Sequence, residues 1–415
     1  MALPTVKVVV NFSSGASFGQ TMVLGSGILD QDVLGDAAAL IVDVSSQVQS
    51  INTVRGRNLL TEQFQTGTAT VVLQDQLGYW NPQNTASPYY GQLLPLRKIQ
   101  ISAVDPATSA TSYLFSGYIT SYNYKQGQDV GDVSTTTLTA LDATQLLTLA
   151  TVTTVPGAVA GETTGTRFGR ILDAIGWPTG MRDIDTGQTT CQADPGTARV
   201  GSVALQTVAS TEFGAFYIDT QGRVVFQDRN LTSTSVSGTP TAFVDSGVGI
   251  RYSNADFKLD DSQIFNQANV SAGAITATYK DQSSIDLYFL HTYDINNLLM
   301  QTTTEADNWA RAMVASRKDT TIRCDSITLN LNTPSYTAGT TAALTLDYFA
   351  PITVTQTQPG ASSIIKTLQI FGVSHSINYA NGSWYTRFTT AEPIIDAFIL
   401  NSSLYGVLDQ NVLSY

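Results

Sequence analysis

The sequence predicts a mainly β protein in which a small α/β unit lies between two β-rich regions. Segments rich in Val, Ile, Thr and Tyr occur from residue 6 to 141 and again from about 240 to 391. Several of them alternate apolar with polar residues, which is typical of strands with one buried face. Between these regions, residues 150–235 contain two stretches of helical periodicity and one hairpin pattern.

A chain of 415 residues is too long for a single core, so we expect several domains. We predict a first β domain over 1–148, an α/β domain over 149–235, and a second β domain over 236–400 that contains a helix at 304–317. The last residues, 401–415, form a tail.

The first β region contains strand-like segments at 6–12, 69–75, 97–104, 113–124 and 134–141. Turn-forming clusters rich in Gly, Pro, Asn and Asp separate them. The following "ALDATQLLTLA" predicts a short helix capped by Asp142, with Leu146, Leu147 and Leu149 facing inward.

The α/β region contains two predicted helices. In the first helix, Phe168, Ile171, Leu172 and Ile175 share one face, and Gly176 ends it. The second has Ser202 as its predicted N-cap residue and an inward face formed by Leu205, Val208, Ala209 and Phe213. A hairpin is expected to turn at 220–222.

In the second β region, "TTTEADNWARAMVASR" gives the clearest helix of the chain. Thr302 and Glu305 have the spacing of a capping box. A buried stripe is predicted for Ala306, Trp309, Ala310, Met313 and Val314. The segments after this helix, including "AALTLDYFAP" at 342–351, are predicted to be strands.

Composition excludes several classes of function. Only 13% of the residues are charged and the net charge is −12, which argues against a protein that grips the phosphates of nucleic acid. Cys191 and Cys324 lie far apart without CxxC partners, which predicts two buried thiols. No apolar run approaches ~18 residues, so no membrane span is expected, and the first residues do not read as a signal peptide.

No residue set predicts catalysis, a cofactor or a metal, so we do not expect an enzyme. His291 and His375 both lie in strand-like text. Residues 183–194 place Asp183, Asp185 and Asp194 at calcium-loop positions, but the glycine falls at the fifth position instead of the sixth, so an ordinary turn is the favoured interpretation.

Two further features are candidate binding elements. The loop with Tyr79, Trp80, Tyr89 and Tyr90 has the aromatic residues of a sugar or base platform, although such loops more often pack on a neighbouring sheet. The phrase "GILDQDVLG" at 27–35 is echoed by "GVLDQNVLS" at 406–414. The tail that carries this second phrase is too apolar to stay free in water, so it is predicted to dock on a partner. Its candidate docking residues are Leu404, Tyr405, Val407, Leu408, Val412, Leu413 and Tyr415.

One long stretch, "RGRNLLTEQFQTGTATVVLQDQLGYWNPQNTASPYYGQLLPLRKIQI" at 55–101, resembles the opening domain of minor tail proteins of long-tailed bacteriophages. The resemblance is carried by Arg55-Gly56, Gly67-Thr68-Ala69-Thr70-Val71, Asp75, Asn81-Pro82-Gln83-Asn84, Ser87-Pro88-Tyr89 and Arg97-Lys98-Ile99. The strand "LFSGYITS" and the later helices recur in the same order in baseplate hub proteins.

This resemblance implies a structural hub protein of the virion tail tip. Two tube-protein-like β-barrel domains would flank the α/β unit, and three chains would form a homotrimeric ring that continues the tail tube. The implied partners are the distal tail protein, the tape measure and tip or fibre proteins, with DNA passing through without sequence-specific binding. Two alternatives stay open: a distal tail protein that forms a sixfold adaptor ring, and a carbohydrate-binding receptor module.

Overall fold

The protein was analysed as a computed structural model that describes residues 3–12, 40–57, 63–127, 132–229, 239–332 and 337–392. The chain is mainly β, as predicted. The strands of the first half are β1 (Thr5–Asn11), β2 (Ile41–Asp43), β3 (Val48–Gly56), β4 (Gln65–Gln74), β5 (Arg97–Val104), β6 (Thr111–Lys125) and β7 (Thr135–Leu141).

The middle of the chain is mixed. Its elements are helix α1 (Thr144–Leu149), β8 (Thr151–Val152), α2 (Thr164–Ile175), β9 (Arg182–Ile184), β10 (Arg199–Val200), α3 (Gly201–Glu212), β11 (Ala215–Ile218) and β12 (Val224–Gln227).

The last part returns to β structure and includes three further helices. Its elements are β13 (Thr241–Val244), β14 (Ile250–Arg251), β15 (Asn254–Lys258), β16 (Gln267–Ala272), β17 (Ile275–Lys280), α4 (Gln282–Tyr288), β18 (Thr292–Ile295), α5 (Thr303–Arg317), β19 (Arg323–Asn330), α6 (Thr337–Thr345), β20 (Pro351–Gln356), β21 (Ile364–Asn378) and β22 (Ser383–Ala391).

The large sheet is built from two units with the same strand order. The first unit runs β3-β4-β7-β6-β5-β1-β2, and the second runs β15-β19-β22-β21-β20-β13-β14. The first five strands of each pair antiparallel throughout. Only the outer strands differ, since β1 is antiparallel to β5 whereas β13 is parallel to β20. The two halves of the chain therefore repeat one architecture.

Pairing of β3 with β21 joins the two units into one sheet of fourteen strands. Their buried side chains also form one continuous apolar core, in which Phe115 and Ile51 of the first unit belong with Phe388 and Ile327 of the second. Within the described residues this sheet is open, and neither unit closes into a barrel. The predicted domain boundaries stay a prediction.

The α/β region has its own core, formed by the predicted faces of two helices. Phe168, Ile171 and Leu172 of α2 are buried against Leu205 and Val208 of α3. The predicted hairpin is confirmed as β11 and β12, with its turn at Asp219–Arg223. Free, buried thiols at Cys191 and Cys324 are also confirmed.

The clearest predicted helix is confirmed as α5. Thr302 and Glu305 form the predicted capping box, and the predicted apolar stripe is buried. This stripe packs on a separate three-stranded sheet of β17, β16 and β18, and Trp309 donates a hydrogen bond from Nε1 to the Ser210 carbonyl at 3.0 Å. The helix therefore links this small sheet to the end of α3.

Four local predictions are wrong. The N-cap residue of α1 is Ala143 and not Asp142, although the Asp142 carboxylate accepts from the Thr144 N–H at 2.9 Å. Ser202 is not an N-cap residue, because α3 already begins at Gly201, whose N–H is held by the Ala150 carbonyl at 2.8 Å. Leu149 is exposed, because α1 ends there before its side chain can turn inward. The strand predicted over 342–351 is wrong, because α6 extends to Thr345 and a turn follows it.

Candidate functional site at the junction of the two units

The junction depends on a close approach of two backbones. Gly56 ends β3 with φ +114°, and a Cβ on it would lie 2.3 Å from the Cα of Gly372 and 2.3 Å from the carbonyl oxygen of Phe371. Any side chain at this position would overlap the backbone of β21. The Arg-Gly start of the motif therefore has a structural reason at its glycine: the two units can pair only without a side chain there.

The two arginines on either side of Gly56 hold the junction through one aromatic cluster. Arg55 lies at 3.3 Å from the Asp347 carboxylate and 4.8 Å from the Tyr348 ring centroid. Arg57 lies between the rings of Phe64 and Phe371, at 4.8 and 4.4 Å. Both arginines are largely buried, and buried guanidinium groups paired in this way resist separation of the strands they join.

One face of the joined sheet is exposed or half-exposed and is covered mainly by hydroxyl and amide side chains. It crosses β22, β21, β3, β4, β7 and β6, whose partners in register place these residues on the same side. The residues are Tyr385, Arg387, Ser374, Ser376, Asn52, Val54, Thr68, Thr70, Thr137, Thr139, Ser121, Asn123 and Lys125. This set contains two cations and no carboxylate, and most of its members are uncharged, so we call it the polar face.

Two further strand edges, on β6 and β15, occupy the same positions in the repeated units as the two edges that pair at the junction. Strand β21 pairs with β20 through its first half and with β3 through residues 372–378. Its counterpart β6 pairs with β5 only up to Ile119, so residues 120–125 have no strand on that side within the described chain. Likewise β15, the counterpart of β3, pairs with β19 alone. Each open edge carries unpaired backbone donors and acceptors.

The predicted aromatic platform is mostly inside the protein. Trp80 is fully buried and Tyr89 is 8% exposed. Both pack against Phe12, and Trp80 donates from Nε1 to the Gln47 side chain at 2.9 Å. Tyr79 packs partly against the same core, whereas Tyr90 is exposed. Among these four aromatic residues, therefore, only Tyr90 exposes its ring enough to stack on a sugar.

The other predicted elements do not come together as a site. The phrase at 27–35 and all seven candidate docking residues of the tail lie outside the described residues. His375 is buried beside Thr386 and Trp384. Asp194 pairs with Arg199, while the side chain of Asp183 is 60% exposed. Within the described ranges there is no group of three metal-ligating side chains and no helix long and apolar enough to cross a membrane.

The loop at 185–192 has a structural role that the sequence did not reveal. The carboxylate of Glu212, fully buried at the end of α3, accepts hydrogen bonds from the Thr164 hydroxyl and from the backbone N–H groups of Gln188 and Thr189. Glu305 of α5 accepts from Thr190 at 2.8 Å. The loop therefore ties α3 to α5 through two carboxylates.

Comparison with solved structures finds this fold in two tail proteins. A tail protein from Neisseria meningitidis MC58 superposes with a TM-score of 0.56 at 12% sequence identity, covering 94% of this chain and 98% of that one. The 43 kDa tail protein of prophage MuSo2 from Shewanella oneidensis gives a TM-score of 0.56 at 14% identity, covering 94% and 99%. The chain has the fold of these tail proteins. No profile of a known protein family matches the sequence, and no curated protein is significantly similar to it.

Proposed function

We propose that this protein is a structural subunit of a phage tail tip, where three copies form a hub ring that continues the tail tube. The observation that carries the proposal is the internal repeat, together with a fold shared over nearly the full length of two tail proteins. A chain with two equivalent units supplies two positions of a ring, so three chains supply six. This is the arrangement that would match a sixfold tube.

The junction inside the chain is a template for the contact between chains. There, the edge of β3 adds to residues 372–378 of β21. The equivalent edges are β15 and residues 120–125 of β6, which have no strand partner within the described residues. Pairing β15 of one copy with β6 of the next would repeat the internal contact. Such a head-to-tail interface closes into a ring when its rotation divides a full turn.

The polar face would then line the channel. In such a ring, each chain contributes eight adjacent strands, from β15 through β21 and β3 to β6. Hydroxyl and amide side chains offer DNA few fixed charges, and cations would retain it by counterion release. The residues named for this face include two cations, Arg387 and Lys125, and no carboxylate, so the proposed lining is sparsely charged and slightly basic.

Further parts of the proposal concern the neighbours in the virion. The distal tail protein, the tape measure and tip or fibre proteins would contact the two rims of the ring. The tail over 401–415 would dock through its apolar residues on one of them, and DNA would pass without specific binding. A sixfold adaptor ring is less well supported, because each chain already contains two repeats. A carbohydrate-binding role is less well supported too, because Trp80 and Tyr89 are buried.

Cysteine cross-linking tests the ring directly. Asp256→Cys on β15 and Asn123→Cys on β6 place thiols on the two open edges, while the native Cys191 and Cys324 are buried. With a short bis-maleimide, we expect covalent species up to a closed trimer. Asp256→Cys combined with Thr70→Cys, in the middle of the sheet, is the matched control and should stay monomeric. Ladders that extend beyond three copies, or no cross-linking in assembled tails, would refute the trimeric ring.

A further inference from the structure

The two units meet at a second place besides the pairing of β3 with β21. The connection from β19 to β20 of the second unit contains α6, and this helix lies against β6 of the first unit. Thr341 of α6 donates a hydrogen bond from Oγ1 to the carboxylate of Asp105 at 2.6 Å. Asp105 is almost fully buried where β5 turns into β6. A connection of one unit therefore covers the β5–β6 turn of the other.

The first unit has an equivalent connection from β4 to β5. Near its end, Leu96 has φ +62° and donates its N–H to the Ile119 carbonyl of β6 at 2.7 Å. In the second unit, Phe349 has the same φ and donates to the Ile370 carbonyl of β21 at the same distance. This backbone conformation is uncommon for residues other than glycine. Since β6 and β21 are counterparts, both connections enter the sheet in the same way.

The β4–β5 connection lies beside the open edge of β6. The hydroxyl of Tyr122, which lies on this edge, donates to the Leu94 carbonyl at 3.0 Å. The hydroxyl of Tyr124 lies against Gly78, since a Cβ there would be 3.3 Å from it. A second chain that pairs with this edge would therefore meet the connection as well.

The surface of the β4–β5 connection is uncharged and partly apolar. No residue from 76 to 96 carries a charge. Three of its large apolar side chains are exposed, Leu77 by 68%, Tyr90 by 53% and Leu94 by 48%. Depletion of charge together with aromatic and apolar side chains is typical of the centre of a protein interface.

The turn from β20 to β21 has a similar surface on the second unit. No residue from 356 to 365 is charged, and Ile365 is 65% exposed. The neighbouring turn of β13 and β14 is joined to it, because the hydroxyls of Ser246 and Thr357 lie 2.6 Å apart. Val248 of that turn is fully exposed. This surface is the counterpart of the β5–β6 turn that α6 covers.

We propose that the β4–β5 connection of one copy docks on the β20–β21 turn of the next copy. The inference rests on the proposed ring, because the rotation that carries the β3–β21 pair onto the β6–β15 pair also carries the α6 contact onto this one. Leu77, Tyr90 and Leu94 of one copy then pack on the turn that bears Ile365 of the next. The occupant is a second copy of this chain, since the contact within the chain is its template.

Mixed full-length copies test the contact. Copies with Leu94→Cys are combined with copies with Ile365→Cys, so a short bis-maleimide can join the two sites only between copies. In assembled rings, we expect at least tenfold more covalent dimer than with Leu287→Cys in place of Ile365→Cys. Leu287 is 70% exposed on α4, outside both seven-stranded units. Equal yields for the two mixtures would overturn the inference.

The edge pair separates this inference from the ring itself. Copies with Asp256→Cys mixed with copies with Asn123→Cys report the pairing of β15 with β6. Linkage of the edge pair without linkage of residues 94 and 365 would refute the docking and leave the ring intact. Absence of both linkages would refute the ring and the docking together.

Association of the copies gives an independent measurement. Leu77→Ser combined with Leu94→Ser removes exposed apolar groups, so the subunit should fold normally. We expect the dissociation constant of the trimer, measured by sedimentation, to rise at least tenfold. Leu287→Ser is the control and should leave it unchanged. An unchanged dissociation constant in the double variant would contradict the docking.

Discussion

Gly56 and Gly372 lie back to back where β3 pairs with β21, so close that a Cβ on Gly56 would lie 2.3 Å from the Cα of Gly372. The residues are separated by most of the chain, yet their contact turns two seven-stranded units into one sheet. The arginines beside Gly56 then reach Asp347 and Phe371 on the second unit. The short motif Arg55-Gly56-Arg57 thus contains both the close approach and the side chains that hold it.

Gly56→Ala should destabilise the protein by about 3–5 kcal/mol, since the positive φ and the overlap with backbone atoms both oppose the side chain. Urea unfolding measures this loss. Gly169→Ala is the control, because Gly169 lies within α2 with nothing near its Cβ position, and alanine there should be neutral or stabilising by up to ~1 kcal/mol. Equal stability of the two variants would show that the junction is looser than the structure has it.

Trp309→Ala should cost about 3–5 kcal/mol through cavity formation. The indole is 4% exposed, packs edge-on against Phe213 and donates to the Ser210 carbonyl. Trp309→Phe keeps most of the ring and should cost less, about 1–2 kcal/mol, mainly through the lost hydrogen bond. A melting temperature that does not change with Trp309→Ala would contradict the placement of α5.

Glu212→Gln should release the loop that this carboxylate holds. Replacing one oxygen by an NH2 group opposes a donor to the Gln188 N–H and removes the charge from the remaining bonds, which are worth about 1.5–3 kcal/mol each. The amides of Gln188 and Thr189 should exchange at least tenfold faster. Asp307→Asn, which breaks only an exposed pair with Arg311, is the control and should change stability by less than ~1 kcal/mol. Unchanged exchange at 188 and 189 would refute this role of Glu212.

Local patterns predicted local structure well, and long-range pairing poorly. The helix α5 could be predicted because its capping box and apolar stripe both lie within sixteen residues. The joint of β3 with β21 could not, since alternation shows that a strand has a buried face but not which strand lies beside it. The segment at 342–351 has the apolar residues of a strand, yet Ala342, Ala343 and Leu344 are buried in helix α6.

One signal in the sequence could have revealed the repeat. Residues 117–124, "GYITSYNY", and 372–379, "GVSHSINY", share glycine, serine, asparagine and tyrosine in register. They belong to β6 and β21, which occupy the same position in the two units. Both glycines lie close to a neighbouring strand. A Cβ on Gly117 would lie 2.4 Å from the Leu141 carbonyl oxygen, and one on Gly372 would lie 3.1 Å from the Thr389 hydroxyl. The phrase shared by 27–35 and 406–414 lies outside the described residues, so its meaning stays a prediction.

Acidification should relieve a cost at Asp142. Burial raises the pKa of Asp142 to about 6, although the N–H groups of Gly67 and Thr144 donate to its carboxylate. The folded state therefore binds this proton more tightly than the unfolded state, whose Asp pKa is about 3.9. The resulting stabilisation is complete below about pH 4 and is lost as pH rises through 6. Between pH 4 and pH 7, the stability of Asp142→Asn relative to that of the unmodified protein should thus rise by about 2 kcal/mol in urea titrations. A constant difference would contradict the buried charge.

His375 should have the opposite effect on the pH dependence of stability. It is buried on β21, opposite Thr53 of β3, with Nδ1 at 3.0 Å from the Thr386 hydroxyl. Burial, together with the charge of Arg55, lowers the pKa of His375 to about 3. The folded state therefore resists protonation, so its stabilisation is present above about pH 6.5 and is lost as pH falls below that value. Between pH 6.5 and 4 this loss should reach about 3 kcal/mol, and His375→Gln should remove it.

His375 and Asp142 both adjoin the junction. The variants His375→Gln and Asp142→Asn should change the pH dependence of the free energy of unfolding in opposite directions. Parallel profiles for both would mean that other groups control the acid response of the sheet.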